Sequence, residues 1–248
     1  MISHLEELAL NAWPALQTVL YDGWVLRHAR GYTRRANSVQ PLYTSTLDPL
    51  EKLAYCERFY RDLGLDTVFK MTKGAEPEGL DALLERRGYR SEARTSVQTL
   101  ALRDLPQPTF APINADIDLT SGWLTDLARI NHIPDSFVPV VRRLLQGIVP
   151  PHVFIGLREG DQNIALGLGV VERGTLGLFD LVTAPEWRSQ GLGRQLTLHL
   201  LQWGMNHGAR DAYLQVQHDN TPALKLYGSL GFMEQYSYWY RVKSRTLS

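Results

Sequence analysis

The chain has 248 residues, 26 Lys+Arg against 26 Asp+Glu, 44% hydrophobic and 21% charged residues. That composition excludes wholesale disorder, and a formal charge of zero excludes a nucleic-acid binder held by bulk charge, though not a local basic patch. The lone Cys56 cannot close an intrachain disulfide, and no cysteine cluster exists to hold zinc or iron, so a metal-free protein of a reducing cytoplasm is the simplest reading. The opening Met-Ile-Ser-His-Leu-Glu-Glu lacks the basic flank and apolar core of a signal peptide. No apolar run is long enough to span a bilayer.

In chain order, the pattern predicts a helix over Leu5–Val19, strands near Trp24–Arg27 and Ala36–Leu42, and a helix over Pro49–Asp62. A strand (Thr67–Met71), a helix (Glu78–Arg87) and a strand (Arg94–Leu102) follow. Between Arg103 and Ala115 stand Pro106, Pro108 and Pro112, which remove backbone donors and push their predecessors to extended geometry. This reads as a linker over 105–115, separating a domain over 1–104 from one over 116–248. The second part reads as helices Ser121–Ile130 and Val138–Gln146, then short apolar strands His152–Leu157, Ile164–Val171 and Thr175–Thr183. Next comes a helix from about Gly191, with Leu192, Leu196, Leu200 and Trp203 on one face and Gly208 as its left-handed cap. A strand (Ala212–Val216), a helix (Pro222–Leu230) and a strand (Met233–Val242) close the order ααβββαβαβ. The two halves end alike, LLERRGY at 83–89 against LYGSLGF at 226–232, which suggests a divergent duplication.

The chemistry sits in Leu181-Val182-Thr183, a proline turn, and Arg188-Ser189-Gln190-Gly191-Leu192-Gly193-Arg194. A strand ends and a glycine-bearing loop opens a helix, whose free N–H groups and dipole favour an anion. Arg188 and Arg194 add charge, making a candidate cradle for a pyrophosphate. It is not a dinucleotide fingerprint, because Leu196 stands where a third glycine is needed, and no GK[ST] follows to make a Walker loop. Alone, the loop could be an ordinary tight turn. About thirty residues on, Asn220, Ala223, Tyr227, Gly231 and Phe232 fit an N-x-x-A-x-x-x-Y-x-x-x-G-F segment. With R-x-x-G-x-G at 188–193 before it, the stretch from Asp116 to Lys243 resembles the GNAT superfamily of acyl-CoA-dependent N-acyltransferases.

The resemblance implies an α+β fold of two GNAT-like domains, each a mixed, mostly antiparallel sheet flanked by helices. The first is a degenerate copy, since no R/Q-x-x-G-x-G lies between Leu42 and Pro49. It implies acetyl-CoA as co-substrate, held by Leu181, Val182, Thr183, Arg188, Ser189, Gln190, Gly191, Leu192, Gly193, Arg194 and Asn220. The acetyl group would pass to a primary amine, on a small molecule or a peptide, by direct attack. Tyr227 stands where the family keeps its general acid; a phenol with pKa near 10 can protonate a thiolate near 8.5. The plainer alternatives are a packing tyrosine and, for Asn220, a simple helix cap.

The family's glutamate position on the strand before the loop is Phe179 here, leaving Asp180 as that strand's only carboxylate, to orient the amine or act through water, or merely to order the strand. Glu172 is a weaker candidate. His132, Trp123, Phe137 and the Tyr236/Tyr238/Trp239/Tyr240 cluster either line an acceptor pocket or serve as surface and core. Arg34, Arg35 and Asn37 in the loop 31–38 are the polar donors of the first half, there to meet an acceptor or to make a turn. The alternatives left open are another acyl donor and a non-catalytic acyl-CoA-binding regulatory module. No nucleic acid or membrane partner is expected, and a homodimer is allowed.

Overall fold

The computed structural model describes residues 2–111 and 113–245; Met1 of the opening stretch, Pro112 of the proline segment and 246–248 lie outside the described residues. In chain order the elements are α1 (Ile2–Ala12), β1 (Gln17–Tyr21), β2 (Trp24–His28), β3 (Val39–Pro41), α2 (Pro49–Asp62), β4 (Thr67–Thr72), α3 (Leu80–Arg86) and β5 (Arg90–Ala101). Then come β6 (Ile113–Asp116), α4 (Ser121–Ile130), α5 (Val138–Gln146), β7 (His152–Glu159), β8 (Gln162–Glu172), β9 (Thr175–Thr183), α6 (Leu192–Asn206), β10 (Asp211–Gln217), α7 (Thr221–Ser229) and β11 (Met233–Lys243). The fold class is α+β, with mixed sheet flanked by helices, as expected. Among the described residues no helix is long and apolar enough to cross a membrane.

The chain divides into two compact units, 1–96 with 236–248, and 97–235. These do not coincide with the expected boundaries at 104 and 116: residues 97–104 go with the second unit and 236–248 with the first. The reason is strand pairing, which outweighs the prolines. Most of β11 pairs antiparallel with β4, from Tyr238 opposite Thr72 to Lys243 opposite Thr67. The proline segment is itself tied down in the second unit. The Gln195 side-chain oxygen accepts from the Thr109 and Phe110 N–H groups, the His199 ring bonds the Phe110 carbonyl, and Ile113 to Asp116 pairs with β7.

In the first unit the strand order is β1-β2-β3-β4-β11, with β3 and β4 parallel and the remaining pairs antiparallel. The expected helix to Val19 stops at Ala12 because Pro14 disfavours helical geometry in Trp13. Gln17–Tyr21 becomes β1 instead, turned back onto β2 by Asp22 and Gly23, both at positive φ, a two-residue hairpin turn. Trp24, Leu26, Phe69, Met71, Leu80 and Leu84 form its apolar core. Beside that core lies a fully buried polar knot. Lys70 Nζ meets Glu6 Oε2 at 2.5 Å, the Tyr236 hydroxyl donates to Glu6 Oε1 at 2.7 Å, and the ammonium lies 4.0 Å from the Tyr238 ring.

In the second unit the order is β10-β9-β8-β7-β6; β10 and β9 run parallel and the other pairs antiparallel. The apolar stripe of α6 packs on this sheet through Leu196, Leu200 and Leu201. Gly167 permits the close approach, since a Cβ there would stand 2.8 Å from Leu200.

Removing one partner of a buried ion pair strands the other charge. Lys70→Met is therefore expected to destabilise the protein by about 3–5 kcal/mol, read as a lowered urea midpoint, and the double variant Glu6→Leu/Lys70→Met should recover much of the loss.

Candidate active site

The site grows from the end of β9. Its parallel ladder with β10 runs from Thr175–Asp211 to Leu178–Leu214 and stops. On the other side, the register with β8 steps from Leu168–Phe179 to Leu166–Val182, so β9 carries one extra residue opposite Gly167. That bulge includes Asp180, at φ 49. Beyond that ladder, Leu181 to Thr183 run on along the edge of a cavity.

Beyond Thr183, Pro185–Trp187 form one turn of 3₁₀ helix, and Arg188 donates from Nε to the Thr183 carbonyl at 3.2 Å. Gly191 is the N-cap of α6 at φ 80, a left-handed conformation that costs a β-branched residue roughly 1–2 kcal/mol. It has no side-chain cap, and Gln195 N–H closes the first turn on the Gly191 carbonyl, so the N–H groups before it have no intrahelical acceptor. Arg194 is steadied by Ser229 Oγ at 3.2 Å.

A cavity of about 600 Å³ opens on these groups. Leu181, Val182, Thr183, Arg188, Ser189, Gly191, Leu192, Gly193, Arg194 and Asn220 all line it, so ten of the eleven expected donor-binding residues are brought together. Gln190 is not among them; its amide instead reaches the Glu186 carbonyl at 3.4 Å. Asn131, Trp187, Pro222, Ala223 and Leu226 complete the lining, which includes two arginines and no carboxylate. Asn220 does cap α7, accepting from Ala223 N at 3.2 Å, which leaves its amide N–H groups for other use.

Tyr227 is not a lining residue. It sits one turn beyond Ala223 on α7, its ring 5.9 Å edge-on from Phe232 in the core, and its hydroxyl has no hydrogen-bond partner among the described residues. Burial pushes its pKa up to about 12. Asp180 is half-buried at the bulge, immediately before the lining residue Leu181.

Other candidates resolve into structure. Glu172 pairs with Arg173 at 3.4 Å, and Trp123 donates to the Ile155 carbonyl within the core. His132 is exposed at the left-handed end of α4. Tyr236, Tyr238 and Tyr240 are buried, and Trp239 donates to Asp81 at 2.7 Å, all in the first unit. Asn37 spends its whole amide on its own loop, accepting from Ala29 and Gly31 and donating to the Tyr32 and Thr33 carbonyls. Arg34 pairs with Glu92. Among the described residues no group of His, Cys, Asp and Glu could hold a metal ion.

The first unit has a comparable strand-to-helix passage before α2, where the N-cap Asp48 accepts from the Leu50 and Glu51 N–H groups and a second carboxylate serves the loop ahead of it. Asp22 accepts from the backbone of Thr46 at 3.0 Å and Leu47 at 2.9 Å and from the Thr46 hydroxyl, and pairs with the buried Lys52 at 3.2 Å. The Leu47 N–H first, with the Thr46 and Lys52 bonds, holds its pKa down at about 2. No residue of the sequence motif pointed to Asp22, which reaches this loop from the β1–β2 turn.

An open strand edge followed by a glycine-capped helix and a tyrosine-bearing helix is the arrangement of an acyl-CoA-dependent N-acyltransferase. A family model described as "Probable histone acetyltransferase Rv0428c C-terminal" matches residues 1–241. The chain is 30% identical to the "Uncharacterized N-acetyltransferase YobR" of Bacillus subtilis (strain 168), over 98% of each chain. In fold it is similar to a GCN5-related N-acetyltransferase from Kribbella flavida, with TM-score 0.71, 16% identity and coverage of 99% of this chain and 96% of that one. It is also similar to a tandem GNAT protein from the clavulanic acid biosynthesis pathway, with TM-score 0.67, 13% identity and coverage of 98% and 88%. This chain belongs to the GNAT family of N-acetyltransferases. It is an enzyme of that family, which displaces the regulatory-module alternative.

The raised pKa gives a direct check. Tyr227 stays protonated well past pH 10, and the stability it carries in that form is lost as pH climbs from the unfolded value of about 10 toward about 12. The ultraviolet titration of the protein minus that of Tyr227→Phe should show no phenolate step near pH 10 (about the unperturbed value).

Proposed function

We propose that the second unit binds acetyl-CoA and transfers its acetyl group to a primary amine by direct nucleophilic attack. The observation that carries this reading is the convergence of three elements on one cavity: the unpaired end of β9, the Gly191 loop with Arg188 and Arg194, and Asn220 from α7. The cavity suits such a donor in its chemistry. Two arginines and a helix N-terminus answer a pyrophosphate. A bare strand edge answers the amides of an extended arm, as an added strand would. When bound, the donor supplies an activated thioester.

The protein's part is to hold and to manage protons. Tyr227 keeps its hydroxyl proton throughout the working pH range and donates it to the departing thiolate. Burial makes it a weaker acid than a free phenol but guarantees the protonated form. Asp180 orients the incoming amine or accepts its proton through water, since no lining residue is a carboxylate. The first unit takes no donor: Asp22 supplies the anion where a phosphate would lie, which fits a degenerate copy of the same fold.

Calorimetric titration with coenzyme A is expected to give one site per chain; two would overturn the assignment of the first unit. Gly191→Val should weaken that binding by about tenfold or more, from strain at positive φ and a side chain in the loop. On a panel of amines with acetyl-CoA, thiol release identifies the acceptor. Tyr227→Phe should then lower turnover by about ten- to a thousandfold, with donor affinity little changed. Unaltered turnover would make Tyr227 a packing residue.

A further inference from the structure

Asn131 lines the cavity from outside both sequence motifs. It is the C-cap of α4, and the helix end that carries it is fixed on two sides. His132 follows at φ 51, the His132 and Ile133 N–H groups bond back to the Arg129 and Ala128 carbonyls, and Ile133 is buried, a complete Schellman ending. Two residues earlier, Arg129 bonds the Asp126 carboxylate and the Asn163 carbonyl at 3.1 and 3.2 Å, and reaches Glu186 at 3.9 Å, on the turn that leads into the Arg188 loop. The Asn131 carboxamide itself has no hydrogen-bond partner among the described residues. The backbone that carries Asn131 is thus fixed, and its exposed carboxamide keeps its hydrogen-bonding capacity at the cavity.

We infer that the Asn131 carboxamide hydrogen-bonds an amide of the donor's pantetheine arm, so that the arm is gripped by α4 as well as by β9. The inference rests on the reading of this cavity as the donor site. Charge selects the arm over the other ligand groups. A helix C-terminus carries a partial negative charge and is a poor place for a phosphate. The cavity's two arginines, with no lining carboxylate, disfavour a cationic amine there. What remains is a neutral polar chain, and a carboxamide offers an amide both a donor and an acceptor.

The test compares two donors, acetyl-CoA and S-acetylpantetheine, the second lacking every phosphate. Asn131→Ala, and the isosteric Asn131→Asp, should each lower kcat/KM for both donors by a similar factor of about three to ten, with the acceptor KM unchanged. Arg188→Ala should penalise acetyl-CoA alone. Retained unfolding midpoints would confirm that the variants are folded. An Asn131→Ala effect within about twofold of none on both donors, or one confined to the acceptor KM, would overturn the inference while leaving the donor site standing. If the unaltered protein bound no acetyl-CoA, the site reading would fall and this inference with it.

Discussion

The second unit depends on a mismatch in one strand. Through Leu178, β9 is satisfied on both sides, by β8 and by β10. Then an extra residue enters opposite Gly167, Asp180 takes a positive φ, and the strand leaves its parallel partner. Unpaired backbone groups inside a protein are costly, so such an edge persists where water or a ligand can satisfy it. Every other feature of the cavity is arranged around that edge. The α6 stripe packs on β8 and β9, which aims the helix N-terminus at the strand's end, and α7 brings Asn220 to the same place.

The two units show two answers to one physical problem, the exposed N–H groups ahead of a helix that follows a strand. Ahead of α6 they are left facing a cavity with arginines around it. Ahead of α2 they are met from within, by Asp48 at the helix start and by Asp22, with Lys52 as its counter-ion, in the loop before it. A carboxylate with its pKa held near 2 remains charged at any ordinary pH, so that passage is permanently filled.

Much of this was legible in the sequence, for identifiable reasons. Helices α2, α4 and α5 and strand β9 begin and end where the pattern put them, because caps and apolar periodicity are local signals. The motif residues from Leu181 to Arg194 converge because strand end, loop and helix start are neighbours along the chain, and Asn220 was placed with them by the second motif. What stayed hidden was long-range. Asp22 is more than twenty residues from the loop it caps. Asn131 reads as an ordinary helix end. Gln17–Tyr21 continues an apolar helical pattern past Pro14, and only the Asp-Gly turn after it signals a hairpin. The expected boundaries at 104 and 116 and the compact units differ because prolines are conspicuous in a sequence and strand partners, such as Tyr238–Lys243 on β4, are not.

That exchange of segments bears on biosynthesis. A ribosome delivers residues 97–235, a whole unit, before it delivers any of the stretch 238–243 that pairs against β4. The earlier-made unit is therefore the later one to be completed. Its buried Glu6 and Lys70 must wait for Tyr236 and Tyr238, made more than 160 residues after Lys70, and until then nascent chains carry an unfinished sheet edge at β4.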